Sequence, residues 1–251
     1  MGTSTSHRSP ATREWELVRE LYQQPNPAPG EVVGRIVAAL EEASRRRLHD
    51  AAAVRCLDAV LEGSAALAAP GAALPSVVAS SGIPALDLAT AVRAEALGSI
   101  ASAGVSSVTG ALALDSIPPT VVDSLSTGSD WSDFPASTVI SRYSRFAREG
   151  DLSVLAGEYC GHGLERAFRY FVARDVSDFV GQTGLPTLQE SAQLADRVGE
   201  LCLQRGSEPR LRRYEQDLQE IMTLARDQRI RALAPLMHES VESSLDALTG
   251  G

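Results

Sequence analysis

The sequence predicts a mostly α-helical protein, with a helical bundle in the C-terminal half around one long helix and a smaller Ala/Gly-rich helical region in the N-terminal half. Apolar residues recur at three- and four-residue spacing through most of the chain, and helix start and stop residues punctuate that pattern. Composition also changes near residue 130. Nine of the twelve aromatic residues fall within 131–179, whereas between 63 and 122 the only charged residues are Asp87, Arg93, Glu95 and Asp115. The expected organisation is a disordered N-terminus at 1–11, an N-terminal helical region at 12–125 and a C-terminal bundle at 131–251, with the boundary in 123–133.

Ser9 followed by Pro10 reads as an N-cap, and Trp15, Val18, Leu21 and Tyr22 then make one helix face before Pro25. After the linker 24–30, apolar residues at 32, 33, 36, 37 and 40 predict a helix ended by Arg45, Arg46 and Arg47, cations that suit the negative pole of its dipole. Asp50 caps a third helix carrying Val54, Leu57, Val60 and Leu61 up to Gly63. Three prolines then break the chain, permitting a short turn at 76–81 and a helix from Pro84 with Leu86, Ala89, Val92 and Ala96 inward. The uncharged run 96–114 is diluted by glycine and serine, which makes it a poor membrane span. A buried helix, a helix-turn-helix, a short hairpin around Ala103-Gly104 or a membrane-active segment released on assembly all fit it.

In the second half, Pro135 opens a helix with Val139, Ile140, Tyr143 and Phe146 that closes at Gly150, and Asp151 is expected to cap the next. From Leu152 to Val172 the apolar residues step by threes and fours, so one helix approaching thirty residues should form the spine of the domain. Thr187 and Glu190 make a capping box ahead of Ala195, Val198, Leu201 and Cys202, stopped by Gly206. Leu211, Tyr214, Leu218, Ile221 and Ala225 keep a heptad spacing, and Pro235 is expected to open the last helix. Helices in this succession read as an antiparallel bundle.

The chain has 251 residues with a net charge of -9, and all 23 basic residues are arginine, a composition that suggests a GC-rich bacterial source. That charge disfavours general attraction to polyanions. Three separated cysteines are no disulfide framework, and no apolar leader precedes the first helix, so a reducing, cytoplasmic setting is expected.

No HExxH, CxxC, phosphate-loop or nucleophile-elbow motif is present. The nearest to a metal site is Glu158, His162 and Glu165. On a helical wheel these fall opposite the stripe of Leu152, Tyr159 and Gly163, so they are expected to face solvent, with Glu158–His162 and Glu165–Arg169 as i,i+4 pairs. His238, Glu239 and Glu242 repeat the pattern. Facing each other, the two groups would make a metal-dependent enzyme site from Glu158, His162, Glu165, His238 and Glu239. Arg210, Arg213, Arg226 and Arg229, in an Arg-rich helix at 205–231, are candidate phosphate contacts for nucleic acid. Gly157 and Gly161 form a GxxxG spacing that marks a close helix crossing, and Tyr170, adjacent to Phe171 and so aimed elsewhere, marks a second packing surface. The function that follows is a non-catalytic helical interaction protein, an adaptor or self-assembling component, with no cofactor. Its expected partner is another protein or a second copy of itself.

Overall fold

Hydrophobic periodicity of 3.6 residues requires each helix to bury one stripe, and the structure, a computed structural model, satisfies this by wrapping helices around one continuous core. It describes residues 12–69, 82–105, 107–126, 130–181, 187–206 and 214–249. The core runs from Trp15 to Leu248 and draws on both compositional halves.

Helix α1 (Arg13–Tyr22) buries Trp15, Val18, Leu21 and Tyr22. Its N-cap is Thr12, whose hydroxyl accepts from the Trp15 amide, while Ser9 lies outside the described residues. The segment expected to be one helix up to Arg47 is two, α2 (Pro29–Ala39) and α3 (Glu42–Leu48). Extended backbone at Leu40 and Glu41 separates them, and Arg45 donates back to the carbonyls of Val37 and Leu40. Asp50 does cap α4 (Ala51–Ala68), accepting from the amides of Ala52 and Ala53 at 3.0 Å. That helix continues past Gly63, because Val92 and Tyr143 pack against the glycine and hold the chain helical there.

The proline-rich residues 70–81, including the expected turn, lie outside the described residues. Helix α5 (Pro84–Ser102) starts at the expected proline, and α6 (Val108–Leu125) follows a left-handed turn at Gly104. The run 96–114 is therefore helix-turn-helix rather than a hairpin, and no helix among the described residues is long and apolar enough to cross a membrane. Ser107 caps α6, and its hydroxyl also donates to Asp50, so one carboxylate ties together the starts of α4 and α6.

Helix α7 (Ala136–Glu149) ends at left-handed Gly150 and packs on α4. Tyr143 donates its hydroxyl to the Val60 carbonyl at 3.0 Å, and Ser64 donates to the Tyr143 carbonyl at 2.7 Å. The spine is α8 (Leu152–Val176), extended by a single 3-10 turn. Its first amides are capped not by Asp151 but by Glu215, which accepts from Leu152 and Ser153 at 3.2 and 2.7 Å. The capping box at Thr187 and Glu190 forms and opens α9 (Leu188–Gly206), the principal neighbour of α8.

The expected heptad helix is only α10 (Glu215–Met222), and Leu211 lies outside the described residues. Helix α11 (Arg226–Thr249) begins well before Pro235, which sits inside it with its ring exposed, where the missing N–H leaves a carbonyl that water can reach. Among the described residues, the Arg-rich segment 205–231 is thus shared by α9, α10 and α11.

Candidate functional site

The polar side of α8 does not face water. His162 is 4% exposed and Glu165 9%, and Glu158 is mostly covered, which reverses the expectation of a solvated face. The wheel gave the right direction, but α6 and α9 stand there, so the centre of the bundle has no free side.

His162 Nε2 lies 3.1 Å from a carboxylate oxygen of Asp123 on α6, and its Nδ1 lies 3.1 Å from Glu165. Glu165 accepts from Arg169 at 3.0 Å, and Arg169 reaches Asp196 on α9. A chain of alternating charge therefore crosses three helices and ends in half-exposed carboxylates at Asp123 and Asp196. Burial disfavours the imidazolium, but the hydrogen bonds and charges of Asp123 and Glu165 outweigh it and raise the His162 pKa to about 9. Glu165 is held low by its hydrogen bond to His162 and by the neighbouring arginines. Glu158 is left out of this chain. One of its oxygens is buried without a hydrogen-bond partner, and burial, reinforced by Asp123 against the pull of His162 and Arg145, pushes its pKa up to about 7.

This arrangement ties α6, α8 and α9 together. The cleft among α4, α6, α8 and α11, lined by Tyr159, Cys160, Met237 and Val241, encloses only about 20 Å³, barely the room for one water. Neither it nor three wider grooves among the described residues is lined by Glu158, His162 or Glu165. His238 and Glu239 are exposed on α11, and His238 does not meet His162. Its Nδ1 instead lies 3.0 Å from Nε2 of His49, at the end of α3, a residue that sequence spacing did not associate with it across 189 positions. Burial and the proximity of His238 lower the His49 pKa. The two clusters thus make no joint five-residue site.

Arg226 and Arg229 are engaged by acids rather than free for phosphate. Arg229 reaches Asp58 at 2.5 Å and Glu62 at 2.6 Å, and Arg226 reaches Glu95 at 2.7 Å and Asp58 at 3.5 Å. Asp58 is fully buried on α4, so this cluster fixes the start of α11 against the core. Arg210 and Arg213 lie outside the described residues.

Gly157 differs from expectation. A Cβ on Gly157 would meet nothing within 4 Å, so no close crossing occurs there; Gly161 is buried on the same helix. The tight approaches are at Gly199, where a Cβ would stand 2.6 Å from Arg169 Cγ, and at Gly110, 2.8 Å from the Ala52 Cβ. Tyr170 is half-buried and lines a groove of about 350 Å³ with Trp15, Phe171, Val108, Arg47 and Arg174. Arg174 stacks over the rings of Trp15, Tyr170 and Phe171 at 5.3–5.8 Å.

Leu86, expected inward on α5, is 41% exposed, and Leu97 is 48% exposed. The buried face consists of Ala85, Leu88, Ala89, Val92, Ala96, Ser99 and Ile100. Because small and apolar residues occur on more than one side of α5, periodicity alone could not tell which face packs inward. Its outer stripe, Leu86, Thr90, Ala94, Leu97 and Ala101, is exposed and carries no charge.

Comparison with protein-family models, curated proteins and solved structures finds no match for this chain.

Proposed function

We propose that the chain is a non-catalytic helical interaction protein that self-associates through the outer face of α5. The observation that carries this reading is that α5 buries one apolar face in its own core and presents a second, uncharged one to solvent. A helix apolar on both sides is normally covered on both.

The stripe is self-complementary. In an antiparallel pair about a twofold axis near Ala94, Leu86 of one copy lies against Ala101 of the other and Leu97 against Thr90, so large side chains meet small ones. Arg93 is paired with Asp115 and Glu95 with Arg226, so the flanking charges are already compensated within one copy. One helix face buries less than a standard interface of about 1,600 Å², so a dissociation constant of about 10–100 μM is expected. The groove at Tyr170 supports an adaptor role for a separate partner segment, since its aromatic walls suit an apolar anchor. The three free cysteines, all buried, support a cytoplasmic setting, and the Arg-only, Ala-rich composition a bacterial one.

Light scattering on a concentration series tests the reading. The mass should rise toward that of a dimer, and Leu97→Glu should hold it at that of a monomer without changing helicity. A wild-type monomer at every concentration would overturn it.

A further inference from the structure

We propose that His49, His238 and Glu242 form a binding site for a divalent transition-metal ion of the zinc class. Each offers one ligand atom, and the three atoms lie within 4.8 Å of one another. Two imidazoles with one carboxylate are a donor set suited to such ions.

The geometry is near what an ion requires. With metal–nitrogen bonds of about 2.0–2.1 Å, two nitrogens on a tetrahedral ion stand about 3.3 Å apart. The facing nitrogens are now 3.0 Å apart, so a shift of a few tenths of an ångström admits the ion. The contact also requires at least one of the two to be unprotonated, since two N–H groups cannot face each other at that distance.

The fold supplies the ligands from two rigid places. His238 and Glu242 are i and i+4 on α11 and share a face, whereas His49 stands where α3 ends, immediately before the capped start of α4. Arg45 orients the third ligand: its Nη1 is 3.3 Å from Glu242 Oε2, while its other nitrogens donate to the carbonyls of Val37 and Leu40. A carboxylate has two oxygens, so it can hold Arg45 and an ion together, in the manner of a supported metal ligand. The guanidinium charge opposes the ion and so limits affinity. Asp50 is committed to helix caps and to Ser107 and Thr109, so it is not a fourth ligand. With His238 exposed, the remaining coordination positions open to solvent.

This site lies on α3 and α11, away from the outer stripe of α5, so its test is independent of self-association. Equilibrium dialysis of the full chain against Zn²⁺ at neutral pH, followed by elemental analysis, should find one ion per chain. Co²⁺ in its place should give the intense visible absorption of a four-coordinate ion. His49→Ala and His238→Ala should each weaken binding by about tenfold or more, whereas Glu239→Gln and His7→Ala should leave it unchanged. Absence of saturable binding, or binding of undiminished affinity in the His49→Ala/His238→Ala variant, would overturn the proposal.

Discussion

The Nε2 of His162 on α8 sits 3.1 Å from the carboxylate of Asp123 on α6, joining two helices through a side chain that sequence periodicity places in water. The same ring faces Glu165, so the protonated form answers two carboxylates. The His162 pKa is raised from 6.5 to about 9. Its contribution to stability is therefore fully present below pH 6.5 and is lost as pH rises through about 9. Urea unfolding should show His162→Gln less stable than the wild type by about 3 kcal/mol at pH 6, with the gap closing by pH 9.5. A gap that does not change with pH would show that His162 is neutral in the fold.

Glu158 shifts stability with pH in the same direction, but here the charged form is the one the fold disfavours. A carboxyl whose pKa is raised from 4.5 to about 7 binds more protons folded than unfolded between those values, so its contribution favours folding below pH 4.5 and fades through pH 7. Above pH 7 the ionised group is a net burden. Glu158→Gln should leave stability nearly unchanged at pH 4.5 and raise it by about 1–3 kcal/mol at pH 8. The same denaturation experiment reads this out, and a destabilised variant at pH 8 would mean that Glu158 has a charged partner.

Two glycines separate helix propensity from packing. Gly157→Ala adds a methyl group where a Cβ meets nothing within 4 Å, so it should gain about 0.5–1 kcal/mol from the better helix former. Gly199→Ala drives its Cβ onto Arg169, whose guanidinium is held between Glu165 and Asp196, and should cost about 1–3 kcal/mol. Thermal unfolding should move in opposite directions for the two variants.

Asp58 and Arg229 are both buried, so deleting one leaves the other with only its more exposed second partner, Glu62 for Arg229 and Arg226 for Asp58. Asp58→Ala should lower stability by about 3–5 kcal/mol, and the double variant Asp58→Ala/Arg229→Met should recover much of that loss. Additive losses in the double-mutant cycle would show that the two do not act as a pair.

Much of the helix layout was legible because caps are local. Asp50, Gly150 and the pair Thr187–Glu190 act within one turn of their own helices, and they appear where spacing puts them. What spacing could not show depends on a second helix. Glu215 caps α8 from 62 residues away, His49 meets His238 across most of the chain, and the covering of His162 requires α6 and α9 to be in place. Leu86 and Leu88 are equally apolar, and only the neighbours of α5 decide that the first is outside and the second inside.

Hydrogen exchange of residues 84–102, compared between dilute and concentrated protein, tests the self-association claim at the face that is meant to carry it. Slower exchange with rising concentration around Thr90, Ala94 and Leu97, abolished by Leu97→Glu, is the predicted result. Exchange there that is independent of concentration, or protection confined to the Tyr170 groove, would contradict it.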